Sequence, residues 1–225
     1  MTQDANSTQG QNPQAHPCQP SQNPSNPSGG FVKGIAIALV TQNEDPEGLC
    51  RVKVRYPWHD KPADSYWARL TMPMAGKDRG LVLIPEVGDE VVVGFEREDL
   101  RFPYVLGALW NGQDKPPIAN DDGKNDKRIL KSRKKHYLLF DDGTQGVVEL
   151  AHEKGRKVVF DDTGIVMQDE RGNIFKIESN SGAITIEAKG QLKITGAAIS
   201  IEATGTMDLK SGAALSVRGS LVNIN

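Results

Sequence analysis

Two pairs of adjacent carboxylates, Asp141/Asp142 and Asp161/Asp162, are the residues whose type and spacing come nearest to catalysis. Paired acids cleave glycosidic bonds when they face each other across the scissile bond. Neighbouring residues on a strand point to opposite faces, so neither pair converges on one substrate. Both pairs stand just ahead of a glycine, Gly143 or Gly164, where Asp serves local backbone bonding in a turn. Turn acids are therefore expected. The four histidines, His16, His59, His136 and His152, show no close pairing of the kind a metal apex uses. Cys18 lies in a low-complexity stretch and Cys50 in an expected strand, so neither a disulfide framework nor a zinc knuckle is supported. A Gly-rich phosphate loop, a Ser-His-Asp set and a calcium nonapeptide are all missing. The expectation is a chain without catalysis, cofactor or metal. The run Lys127–Lys135 holds six basic residues in nine and could grip phosphates. It lacks interleaved aromatics, and Asp114, Asp121, Asp122 and Asp126 lie nearby in sequence. A solvated collar is the preferred reading, and nucleic acid is not an expected partner.

The elements that must position these residues are all of one kind. From Ala183 onward the chain repeats a unit of two apolar residues separated by one polar residue, followed by a small or glycine-containing turn. The first apolar position falls at Ile184, Leu192, Ile199, Met207, Leu215 and Val222, and the second at Ile186, Ile194, Ile201, Leu209, Val217 and Ile224. A constant spacing of seven or eight residues with strict alternation predicts short strands with one inward face. Two inward side chains per unit cannot offset the entropy of fixing seven or eight residues, so each strand needs hydrogen-bonded neighbours on both sides. A β-helix in which three identical chains wind round one axis supplies them, with those twelve residues as its axial core. A flat antiparallel meander in one chain is the alternative. A coarser form of the repeat begins at His136, with Tyr137-Leu138-Leu139-Phe140-Asp141-Asp142 returning twenty residues later as Lys157-Val158-Val159-Phe160-Asp161-Asp162.

Ahead of the repeat the texture is different. Residues 1–30 contain one charged residue, Asp4, among Gln, Asn, Pro and Ser, a composition that cannot offset its ordering entropy. Strands are predicted at Phe31–Thr41, Cys50–Tyr56, Tyr66–Met72, Asp89–Glu96 and Tyr104–Leu109, with Arg79–Pro85 a short apolar piece. Five such strands with irregular loops and no helical pattern suggest a small Greek-key barrel of the OB type, with Trp67 and Trp110 closing its core. The domain reading is then a tail over 1–30, an OB domain over 31–112, a polar connector over 113–135 and a β-helical needle over 136–225, regular from about 164. A net charge of −2 gives no gross bias towards nucleic acid or anionic membranes. No basic region followed by an apolar core opens the chain, so no signal peptide is expected, and assembly in the cytoplasm is.

Several strings in this barrel resemble the spike proteins of contractile injection machines. They are Asp45-Pro46-Glu47-Gly48-Leu49-Cys50-Arg51-Val52-Lys53-Val54-Arg55-Tyr56-Pro57-Trp58, Trp67-Ala68-Arg69, Met72-Pro73-Met74-Ala75-Gly76 and Pro85-Glu86-Val87-Gly88-Asp89-Glu90-Val91-Val92-Val93-Gly94-Phe95. Pro103-Tyr104-Val105-Leu106-Gly107-Ala108-Leu109-Trp110-Asn111-Gly112 matches the end of the OB domain of that family. The family includes phage baseplate assembly protein V, the VgrG proteins of type VI secretion and their equivalents in phage-tail-like particles. What the resemblance implies is an all-β chain, an OB collar on a homotrimeric β-helical needle, built into a contractile particle that punctures a target envelope. A hub or baseplate protein at the OB end is implied as a partner. So is a conical PAAR-repeat tip protein, docked on Leu221, Val222, Asn223, Ile224 and Asn225. The rival readings are a β-helical tail-spike enzyme acting on cell-surface polysaccharide and an OB module binding oligonucleotide or oligosaccharide.

Overall fold

The computed structural model describes residues 32–59 and 64–224. The expectations for the 1–30 tail, for His16, Cys18 and Phe31, and for Asn225 fall outside them. Nearly all regular structure is strand, and the chain divides into two compact units at Pro116/Pro117.

The first unit is built on β1 (Ile35–Gln42), β2 (Lys53–Arg55), β3 (Arg69–Leu70), the small hairpin β4 (Ala75–Gly76) and β5 (Arg79–Gly80), β6 (Glu90–Phe95) and β7 (Pro103–Leu109). Its five-stranded sheet runs β2-β1-β6-β7-β3, with β3 parallel to β7 and the other pairs antiparallel. An antiparallel bridge between Val52 and Ala68 joins the two ends and curls the sheet towards a barrel. Alternation puts Ala38, Val40, Val52, Val54, Ala68, Val91, Val93 and Val105 inside, with Tyr56 closing the cluster. This is the expected OB domain.

Its details correct the sequence reading in several places. Trp110 is 69% exposed, and Trp67 is half-buried beneath Arg51 and Lys53, whose cationic groups lie 5.7 and 5.2 Å from its ring. Small and β-branched side chains fill the interior, so the tryptophans stay at its edge. Cys50 sits at φ 56 just ahead of β2 rather than in a strand. Gly48 is required for its φ of +67, since no atom within 4 Å would meet a Cβ there. Leu81 to Ile84 form no strand and remain exposed.

The second unit carries β8 (Lys127–Lys131), β9 (Tyr137–Asp141), β10 (Val147–Ala151), β11 (Lys157–Asp161), β12 (Gly164–Gln168), β13 (Ile174–Glu178) and β14 (Ala183–Glu187). They form one seven-stranded antiparallel sheet in which every strand pairs with its neighbours in sequence. Residues 113–135, expected as a polar connector, therefore contribute a strand. Residues 164–187, expected to open the regular needle, finish a meander. Hairpins win here because each Asp-led turn satisfies its own backbone within one chain. Asp141 Oδ1 accepts the Gly143 N–H at 3.0 Å, and Asp161 Oδ1 accepts Thr163 N–H at 2.7 Å and Gly164 N–H at 3.1 Å. Beyond Glu187 the described residues form no strand within the chain, and all are exposed.

Candidate assembly surface

Three of the four paired carboxylates are engaged in turns or ion pairs. The Thr163 hydroxyl and the turn N–H groups hold the Asp161 carboxyl below the usual carboxylate range. Asp142 pairs with Arg128, and Asp141 with Lys127 at 3.7 Å. Asp169 plays the same turn role, its carboxyl lowered first by the Asn173 side chain and then by backbone N–H groups. In the first unit Asp45 receives Arg51 in a two-pronged ion pair at 2.8 and 2.9 Å, together with the N–H groups of Glu47, Leu49 and Arg51. Arg51 is the largest influence holding the Asp45 carboxyl well below its ordinary range. These acids knit loops. Among the described residues no group of three or more His, Cys, Asp or Glu is placed to hold a metal.

The distinctive feature of the second unit is one whole face of its sheet. Register aligns Leu130, Leu138, Leu150, Val158, Met167, Phe175 and Ile186 in one cross-strand row. Two positions along each strand, and so on the same face, a second row joins Arg128, Phe140, Val148, Phe160, Ile165, Ile177 and Ile184. Thirteen of these fourteen side chains are apolar. The other face alternates charged and apolar residues: Tyr137 Oη donates to Glu149 at 2.8 Å, Lys157 pairs with Glu149, and Lys176 with Glu178. Apolar cross-strand rows are the unit of sheet stabilisation. Here nothing among the described residues of this unit buries them. Phe140, Leu150, Phe160, Met167 and Ile184 are between 44% and 63% exposed, and Ala151 is the one buried hydrophobic residue among the described residues of this unit.

Gly164 keeps the face continuous. A Cβ added there would lie 2.0 Å from the Ile177 carbonyl oxygen, so only glycine lets β12 leave its turn in register with β13.

Two of the residues expected to form an axial core lie on this face. Ile184 and Ile186 occupy its last strand in the chain, one in each row. Leu192, Ile194, Ile199, Ile201, Met207, Leu209, Leu215, Val217, Val222 and Ile224 keep the same two-residue spacing, and are exposed from 46% at Met207 to 91% at Ile224. Leu221 is exposed as well, at 76%. The sequence reading missed the upstream half: Leu138/Phe140, Val148/Leu150, Val158/Phe160, Ile165/Met167 and Phe175/Ile177. Its signal was present as apolar pairs two apart in every strand, masked by an extra apolar residue between them in Leu139 and Val159. The structure also brings together two histidines that lie sixteen positions apart. The rings of His136 and His152 stand 4.4 Å apart, each Nδ1 accepting a backbone N–H of the 152–156 turn.

Residues 36–110 match the model of the type VI secretion system/phage-baseplate injector OB domain. Over 197 residues, 80% of this chain, it is 27% identical to the actin cross-linking toxin VgrG1 of Vibrio cholerae, covering 17% of that protein. The type VI secretion system spike protein VgrG2a of Pseudomonas aeruginosa is 34% identical over 102 residues, 41% of this chain and 12% of the relative. VgrG3 of Vibrio cholerae, a spike protein of the same system, is 33% identical over 109 residues, 45% of this chain and 11% of the relative. The chain thus spans less than a fifth of the length of these curated relatives. With a match to the injector OB-domain model over 36–110 and an alignment to a VgrG protein that runs beyond it, the chain is similar to the spike proteins of type VI secretion.

Proposed function

We propose that this chain is the central spike of a contractile injection particle, acting as a homotrimer that transmits force into a target envelope. The observation that carries the reading is the uncovered apolar face of the second unit, continued through the repeat to Ile224. Three copies around one axis would turn these faces towards each other and take eleven apolar pairs per chain out of water. Past Glu187, where no strand pairs within the chain, three copies would hydrogen-bond to one another as an intertwined β-helix. Layers of that kind contain no cavity or loop along the axis, so an axial load meets continuous hydrogen bonds and packed side chains. The part is read as mechanical because three of the four acids nearest to catalytic spacing, Asp141, Asp142 and Asp161, are engaged in turns and ion pairs.

The partners of this reading follow the family resemblance. A hub or baseplate protein would hold the OB domain, and a PAAR-repeat tip protein would dock on the exposed Leu221, Val222 and Ile224 with backbone pairing around Asn223. Assembly would take place in the cytoplasm before the particle is deployed. Light scattering on the purified full chain is the test. A mass of three chains that persists on dilution is expected, and a stable monomer would overturn the intertwined reading.

A further inference from the structure

The near-neutral charge of the chain conceals a separation that the second unit imposes. Antiparallel register places the turns 132–136, 152–156 and 169–173 at one end of the sheet, and the acids Asp126, Asp142 and Asp162 at the other. Five-residue strands set the two ends about 16 Å apart, beyond the screening length of roughly 8 Å at physiological salt. Asp126, close in sequence to the basic run, therefore does not neutralise its far end at Lys134 and Lys135. Lys127 and Arg128 are taken by Asp141 and Asp142 at the acidic end. Lys134, Lys135 and Lys154, at the opposite end, are exposed and have no ion-pair partner among the described residues. Of the acids that share this end, Glu170 is occupied by Arg156 at 2.6 Å, Asp169 by the N–H groups of its own turn and Glu187 by Lys189, which leaves the exposed Glu153 as one negative charge beside three lysines.

These lysines are also held together. The ring stack of His136 and His152, with His136 Nδ1 accepting the Glu153 N–H at 3.3 Å, fastens the turn bearing Lys134 and Lys135 to the turn bearing Lys154. We propose that this end of the sheet is a basic rim that binds the phosphate-bearing surface of an anionic membrane. Lysines on flexible stems act as point charges towards lipid phosphates. Nucleic acid fits less well, because these turns contain no Phe, Tyr or Trp on which a base could stack. Each chain carries the rim by itself. The proposed trimer would present three copies, and only that gain in avidity rests on the spike reading.

The test is co-sedimentation of the full chain with vesicles of phosphatidylcholine alone or with phosphatidylglycerol added. Binding to the anionic vesicles only, weakening as salt is raised, is expected. The triple variant Lys134→Glu/Lys135→Glu/Lys154→Glu should lose about tenfold or more of that binding. Lys210→Glu, outside the rim, should keep it. Light scattering on each protein separates a lost assembly from a lost rim: a wild-type trimer that ignores anionic vesicles ends this proposal and leaves the spike reading standing. Equal binding to both vesicle types, or undiminished binding by the triple variant, overturns the rim. So does capture of an oligonucleotide by a chain that leaves anionic vesicles alone.

Discussion

Individual side chains in this protein mostly close loops, and the barrel core contains one that reports on pH. Tyr56 is buried among valines, and that burial pushes its phenol up to about 12, against the weaker opposing influence of the Ser65 hydroxyl. Its ordinary value is about 10. A raised value means that the folded barrel prefers the neutral phenol. The contribution to stability is therefore whole below about pH 10 and is lost as the pH rises towards about 12. Tyr56→Phe has no proton to release, so the denaturation midpoint of the variant should fall less between these pH values than that of the natural chain. Parallel curves would show that the phenol is not the group responsible. Asp45 has the opposite sign. Its lowered carboxyl contributes stability above about pH 4, lost as the pH falls towards the folded value, because the Arg51 pair and the turn N–H bonds need the ionised form.

At the scale of the element, the decisive property is which face of a strand a residue occupies. Leu150 lies in an apolar row between Leu138 and Val158, and Ile199 is the first apolar position of its unit in the repeat, as Ile184 is. Thr185 lies on the opposite face, in register with Lys176, and Ser200 is the polar residue between Ile199 and Ile201. An aspartate brought to a threefold axis places three carboxylates in one apolar layer, where an unpaired charge is strongly disfavoured. Leu150→Asp and Ile199→Asp should each abolish assembly in a gel-filtration and light-scattering assay. Thr185→Asp and Ser200→Asp should assemble as the natural chain does. Equal behaviour of the two sets would mean that the apolar face is not the contact.

The two units differ in what they need in order to fold. The OB domain has its own buried cluster of nine residues, whereas the described part of the second unit has one buried hydrophobic residue, Ala151. Apolar burial is the main favourable term in folding, so the first unit holds what it needs and the second lacks it without partners. Residues 32–116 produced alone should therefore unfold cooperatively as a monomer. Residues 117–225 should be found as trimers or as aggregates. A soluble, cooperatively folded monomer of 117–225 would show that the sheet stands without a covered face. Circular dichroism together with mass measurement distinguishes these outcomes.

Alternation, turn chemistry and the constant interval of the repeat were legible in the sequence because they are local. They determined that the regular structure is nearly all strand, that an OB-type barrel precedes a repeated region, and that Asp141 and Asp161 serve turns. Register is not local. A shift of one residue exchanges the two faces of a strand, so only the pairing of Leu138 with Leu150, and of each strand with the next, could carry the apolar face back to Leu130. The same pairing decided which charges meet. Lys127–Lys135 and the nearby acids look balanced as a string, but β8 leaves Lys127 and Arg128 at the end of Asp126 and carries Lys134 and Lys135 to the other. His136 and His152, distant in the chain, are brought ring to ring because the turns that bear them share one end of that sheet.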